Sequence, residues 1–333
     1  MNHAAWRSAI CAGACLLAGG GVGCSAEPGW GFALEGNPIT SQQIAEVAAQ
    51  TKLTPKLVVF FQQWPEDAAA RGFPQSSLAA IAAAGADPVI TWEPMYYRRQ
   101  GGTETMIPAP EILAGKYDGY IESFARQAAH WGKPIIIRFA HEMNLGRYHW
   151  GGTAAEYGAA SPERFRAMWR HVVDLFRRSG AANVRWAFCP NCESVPGVGN
   201  PAAAPWNTVQ AYYPGSDYVD LLGVDGYNWG DTQTPERNGW RSSWRGFADT
   251  FGRIRSELQA LAPGKPLYVF ETASASTGGD KAAWLVEMSA TAKSWQLAGV
   301  VWFEANKEVD WRLLTGVGPE TLQPVRKTFS DGR

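Results

Sequence analysis

From about residue 29 onward, short apolar runs rich in β-branched and aromatic residues alternate with segments whose apolar positions recur at helical spacing. The runs are GWGFALE (29–35), KLVVFFQQW (56–64), DPVITWEP (87–94), PIIIRFAHE (134–142), NVRWAFCPN (183–191), VDLLGVDGYN (219–228), KPLYVFETA (265–273) and LAGVVWFEAN (297–306). Helical patterns lie between them, among them TSQQIAEVAAQTK, SSLAAIAAAG, YIESFARQAAHWG, PERFRAMWRHVVDLFRRSG, FADTFGRIRSELQALA and KAAWLVEMSATAKSW. Near-continuous apolar strands predict burial on both faces, and the alternation with helices predicts parallel pairing through right-handed crossovers. Eight such units close an α/β fold of one kind, a single (β/α)8 TIM barrel. At about 250 residues plus insertions, that fold takes up residues 27–333 as one domain. A doubly wound open sheet is the runner-up. Against it, PGVGNP (196–201) is bracketed by prolines in a loop and makes no strand-to-helix dinucleotide fingerprint.

The first 26 residues do not follow this pattern. Arg7 precedes a small apolar run from Ala9 to Gly23 that is too short and glycine-broken to span a bilayer. The segment reads as a leader. Cleavage after Ala26 makes it a signal peptide, whereas GVGC makes it a lipoprotein leader that leaves a lipid anchor on Cys24; both stay open. Either predicts a secreted or cell-envelope protein, and a disordered cytoplasmic tail is the weaker alternative.

Lys and Arg number 30 against 31 Asp and Glu, so the net charge of -1 offers no field for nucleic acid or acidic membranes. Charged residues make up 18%, while 16 Trp and 11 Tyr supply broad apolar faces with polar tips. Such surfaces suit neutral sugars. The expected partner is a polysaccharide or oligosaccharide, and the expected state is a monomer.

On export Cys11, Cys15 and, with cleavage after Ala26, Cys24 would leave with the leader, or Cys24 would carry the anchor; Cys189 and Cys192, in CPNC, remain. They form a small disulfide or remain two buried thiols. A thioredoxin-like role is disfavoured because the motif follows a strand instead of opening a helix. No four-ligand zinc spacing occurs, and neither metal nor cofactor is expected.

In a (β/α)8 barrel, chemistry gathers where strands end at the C-terminal face. Strand four ends in His141 and Glu142, strand five in Asn191, strand six in Asp225 and Tyr227, strand seven in Glu271, and strand eight in Trp302 and Glu304. Glu142 and Glu271 lead from apolar runs on two strands of one barrel. Glycoside hydrolysis requires such a pair, one carboxylic acid to protonate the leaving oxygen and one carboxylate to attack or to activate water. The competing reading makes each glutamate a structural salt-bridge partner. Arg138, inside the apolar run before Glu142, is costly to bury unpaired and is expected to meet a carboxylate near the site.

IRFAHEMN (137–144) resembles the acid/base signature of glycoside hydrolase family 26, which contains the β-mannanases and some β-glucanases; GVDGYNW and VVWFEAN extend the likeness. The resemblance implies a retaining (β/α)8 glycoside hydrolase in which Glu142 is the proton donor and Glu271, in YVFETA, the nucleophile. It also implies that Tyr227 hydrogen-bonds the nucleophile, that Trp302 floors the reactive subsite, and that His141 belongs to the site. For His141 the strand pattern argues otherwise, because adjacent strand residues point to opposite faces unless the strand end twists or bulges. Asn144 joins the expected substrate contacts, and Trp64, Trp92, Trp150 and Trp229 lie near strand ends where they can stack on sugar rings. Mannanases of the family usually carry an aromatic residue five positions after the acid/base. Arg147 stands there in this chain. Mannan or glucomannan is therefore the expected substrate by a narrow margin, with a lichenase-like β-glucanase as the alternative.

Three rival readings are weaker. A zinc hydrolase would need a second histidine four residues after His141, where Leu145 stands. No G-x-S-x-G elbow supports a serine hydrolase. A catalytically silent carbohydrate-binding barrel is disfavoured because both carboxylates are present.

Overall fold

The computed structural model describes residues 27–69, 72–98, 102–151, 158–196 and 205–329. The leader reading over 1–26, including Cys24, lies outside them. Eight parallel strands close a barrel: β1 (Gly29–Ala33), β2 (Leu57–Gln63), β3 (Asp87–Glu93), β6 (Ile135–Phe139), β7 (Val184–Phe188), β8 (Leu221–Asn228), β9 (Leu267–Ser274) and β10 (Gly299–Phe303), with β10 returning to β1. All eight sequence-predicted runs are barrel strands. A short antiparallel hairpin, β4 (Met95–Tyr97) with β5 (Glu104–Met106), follows the third barrel strand at the rim. The three-residue arms are too short to show a period, which is why the sequence reading passes over them.

The long helices form the outer layer: α1 (Ser41–Thr51), α2 (Gln75–Ala83), α4 (Asp118–Trp131), α5 (Ser161–Arg178), α8 (Phe247–Leu261) and α9 (Lys281–Ser294). Shorter ones are α3 (Ala109–Leu113), α6 (Val209–Tyr212), α7 (Pro235–Asn238) and α10 (Gln323–Phe329). Local chemistry sets the ends of several. Thr40 and Gln43 make a reciprocal capping box on α1, Asp280 caps α9 by accepting from the Ala283 N–H, and α4 stops at Gly132 in the left-handed region.

The core has two layers. Between strands and helices, Trp64, Trp92, Tyr120, Phe124, Phe139, Trp169 and Phe176 pack edge and face against one another. The barrel interior holds the side chains of alternate strand positions, among them the fully buried Arg138. Strand alternation therefore sorts each rim residue into one that looks into the mouth and one that looks toward the helices.

Candidate active site

On β6, Phe139 faces the helices and Arg138 the barrel interior. The strand then ends in a backbone that only two non-glycine residues in the left-handed region make possible: Ala140 at φ 46° and Glu142 at φ 50°. Such positions are strained for a residue with a Cβ and persist where the surroundings over-determine them. Here the Glu142 N–H donates to Cys189 O at 2.8 Å and the Ala140 N–H to Trp92 O at 3.0 Å. The distorted end explains how neighbouring His141 and Glu142 both reach the site, where strict alternation would have separated them.

Arg138 is the hub of the interior. One guanidinium nitrogen donates to Glu271 Oε1 at 2.9 Å, and another donates to Asp225 Oδ2 in a very short contact. Asp225 and Glu271 sit side by side because β8 and β9 pair them in register. Burial opposes the charge on Arg138, but Asp225, Cys189 and Glu271 hold its pKa well above the ordinary value. The expectation that Arg138 meets a carboxylate near the site is met twice. The Tyr227 hydroxyl donates to Glu271 Oε2 at 2.6 Å. Burial, with the Glu271 charge beside it, keeps that hydroxyl protonated. Both oxygens of Glu271 thus receive donors that stabilise negative charge.

Glu142 has a different environment. Burial, and then the neighbouring Glu271, push its carboxyl from the ordinary 4.5 up to about 7. Asn191 Nδ2 donates to its Oε1 at 2.7 Å and opposes that rise. The two carboxyl groups are thereby differentiated, one surrounded by donors and the other poised to hold a proton near neutrality.

His141 is buried, and its Nε2 shares a 3.3 Å hydrogen bond with the Tyr148 hydroxyl. Burial, with Arg138 nearby, holds its pKa well below the ordinary value, so the ring is neutral. His141 lies with Asp225 and Glu271 in a cluster whose ligand-type atoms fall within 4.8 Å of one another. Arg138 already occupies the anionic side of that cluster, so it does not make a cation site.

Other residues expected at the site have well-defined protein partners. Trp92 is fully buried among Trp64, Tyr120, Phe124 and Phe176 in the helix-facing layer, away from the barrel mouth; Trp64 shares that layer. Trp302 also faces outward, with its N–H on Trp311 O and its ring against Trp284 and Lys281 of α9. Period-two alternation gives the mouth to its neighbour Phe303, which meets Tyr227 and Phe61. Asn144 is fully buried and spends its amide on the loop after β7, accepting from the Asn191 N–H and donating to Asn191 O and Glu193 O. These bonds position Asn191. Trp150 is 3% exposed, stacks on Tyr148 at 4.6 Å and donates to His141 O at 2.7 Å, which makes it a brace for His141. The turn that brings it there needs Gly151, since a Cβ would lie 2.1 Å from Met143 O. Glu304 accepts from the Leu313 N–H at 2.9 Å and pins the loop after β10.

Partly exposed aromatic residues at the mouth are Tyr227 and Trp229, backed by the buried Trp311 and continued by the exposed Trp240. Arg147 lies on the rim and is tied to Glu104 of the hairpin at 2.9 Å. Cys189 and Cys192 are both buried free thiols, which resolves the CPNC alternatives in favour of no disulfide. Glu93, ending β3, is a rim carboxyl that the sequence reading passes over, although its run ends in a glutamate just as strands four and seven do.

Residues 111–243 match the model of Glycosyl hydrolase family 26. Over 248 residues, 73% of this chain, the sequence is 36% identical to endoglucanase H of Acetivibrio thermocellus, covering 24% of that protein. It is 30% identical over 149 residues, 41% of this chain, to a mannan endo-1,4-β-mannosidase of Bifidobacterium adolescentis, covering 14% of it. The chain thus spans about a quarter or less of these relatives' length. Among solved structures, the barrel resembles the family 26 domain of a Prevotella bryantii endo-β-mannanase/endo-β-glucanase, with TM-score 0.61 and 14% identity over 92% of this chain and 89% of that one. It also resembles a Bacteroides ovatus β-mannanase, with TM-score 0.59 and 16% identity over 92% and 90% of the two chains. At these identities the structural likeness establishes the fold.

Proposed function

From the premise that this chain belongs to glycosyl hydrolase family 26, we propose that its barrel mouth hydrolyses a neutral β-linked hexose polymer by retaining double displacement. The observation that carries this is the split pair: Glu142 held near neutrality by burial, facing Glu271 held between Arg138 and Tyr227. Glu142 protonates the departing glycosidic oxygen while Glu271 attacks the anomeric carbon. Glu142, now ionised, then takes a proton from water as that water releases the sugar from Glu271. Asn191 orients the acid and Tyr227 the nucleophile.

Mannan or glucomannan is the first substrate reading. A β-glucan is the second, favoured by the broader match to a protein named endoglucanase and by Arg147. The relatives are several times longer than the matched part, so their names do not by themselves assign an activity to it. Neutral polymers are supported over acidic ones by the pairing of the rim Arg147 with Glu104, which leaves that cation already answered. The test is release of reducing ends from mannan, glucomannan, mixed-linkage glucan and a uronic-acid polymer, with Glu142→Ala and Glu271→Ala alongside. Cleavage of the uronic-acid polymer alone would overturn the substrate class.

Export, with processing near residues 24–26, rests on the leader pattern and on the size of a polymeric substrate. Mass spectrometry of the native N-terminus checks it: a retained Met1 refutes export, and a diacylated Cys24 selects the anchored form.

A further inference from the structure

Besides Asp225, one more carboxyl group, that of Glu93, looks into the mouth without a role in the bond-breaking steps. Trp92 points to the helix layer, so alternation along β3 turns Thr91 and Glu93 inward, and Phe61 and Gln63 on β2 face them in register. Glu93 is 3% exposed, and the hydrogen bond its carboxyl group makes among the described residues comes from the Gln63 side-chain amide. A buried carboxylate ordinarily finds a cation or neutralises. The neighbouring cations have other partners: Arg138 is taken by Asp225 and Glu271, Arg147 by Glu104, and Lys307 by Glu35. Just beneath, the fully buried Thr91 Oγ1 has no hydrogen-bond partner. The mouth therefore contains, across the barrel from the nucleophile, a proton-bearing carboxyl group, an amide and an unpaired hydroxyl on two adjacent strands.

We propose that Glu93 and Gln63 form a substrate-binding clamp for a sugar hydroxyl next to the bond that is cleaved, with Glu93 acting in its protonated form as both donor and acceptor. The clamp deepens the glycoside hydrolase reading above and rests on it. Burial, and then the charge on Glu271, raise the Glu93 carboxyl to about 8, with Gln63 opposing the rise, so the neutral form holds through the range in which Glu142 carries its proton. A neutral carboxylic acid matches a hydroxyl, which also donates and accepts, and it repels no neutral ring. Above that range the ionised carboxylate can only accept, and it confronts Glu271.

The test is steady-state kinetics of the full chain on the polymer it cleaves best, from pH 5 to 10, for wild type, Glu93→Ala and Glu93→Gln. Loss of one buried hydrogen-bonding group should raise KM roughly tenfold in Glu93→Ala with kcat moved far less, and Glu93→Gln, which keeps a donor and an acceptor, should recover KM to within about threefold. In wild type two protons must be held, so log kcat/KM should approach a slope of -2 at high pH; Glu93→Gln should show a slope of -1. A residue that merely supports the fold would lower Tm without changing that slope. An unchanged KM in Glu93→Ala, equal KM increases in both variants, or a retained slope of -2 in Glu93→Gln overturns the clamp while leaving the hydrolase reading standing. A wild type that cleaves no β-glycan overturns both.

Discussion

Removing the Asn191 side chain should move the alkaline limb of activity upward. Glu142 is raised from 4.5 to about 7, which at ~1.36 kcal/mol per unit means burial and Glu271 disfavour its charged form by ~3 kcal/mol net. Asn191 works against that penalty, because its amide donates to Glu142 Oε1 at 2.7 Å. A hydrogen bond to a charged group contributes ~1.5–3 kcal/mol. If water at the mouth restores about half of it in Asn191→Ala, the limb should rise by about one unit. The sign follows from the proton: the donor stabilises the carboxylate, so its loss makes the acid weaker and keeps Glu142 protonated to higher pH. The assay is the pH dependence of kcat/KM, measured in a Glu93→Gln background so that the second ionisation does not overlap. Asn191 Oδ1 also accepts from the Glu193 N–H at 3.0 Å, so Tm should be recorded to show that the loop is retained. A limb that stays near 7 or moves down would show that Glu142 is not the acid, or that Asn191 does not bond it in solution.

With an activated β-glycoside and azide, Glu271→Ala should give the α-glycosyl azide by direct displacement, and Glu142→Ala the β-azide through the covalent intermediate; opposite anomers by NMR would exchange the two roles. Replacing Arg138 by Leu leaves Asp225 and Glu271 buried without their cation, and chemical denaturation should show a loss of ~3–5 kcal/mol together with loss of activity; a loss under ~1 kcal/mol would refute its place as the hub. Glu93 and Glu142 have folded pKa values of about 8 and 7, above the ordinary 4.5, so the folded state retains protons that the unfolded state has released. Their contribution to stability is full below 4.5 and is lost as pH rises through those folded values; urea unfolding of Glu93→Gln should therefore lose less stability than wild type between pH 5 and 9, and parallel curves would contradict a raised Glu93.

The eight strands, the long helices and the two glutamates were legible in the sequence because their signals are local. A run such as PIIIRF or LYVFE is apolar whatever its neighbours, and a parallel sheet wrapped by helices is the arrangement that buries such runs on both faces. The short hairpin Met95–Tyr97 with Glu104–Met106 was not legible, since three residues carry no period. The direction of each rim side chain was decided by tertiary structure. Trp92 and Trp302 look like ligand platforms in sequence, yet strand alternation turns both toward the helices and gives the mouth to Glu93 and Phe303. His141 looked misplaced beside Glu142 until the left-handed Ala140 and Glu142 reset the alternation, held there by Trp92 and Cys189 carbonyls from neighbouring strands. Arg138 shows the same division in one residue. Its burial within an apolar run announces that it needs a counter-charge, because an unpaired ion in the core is too costly. Which carboxylates answer, Asp225 from β8 and Glu271 from β9, depends on residues 87 and 133 positions away, and only the closed barrel brings them within reach.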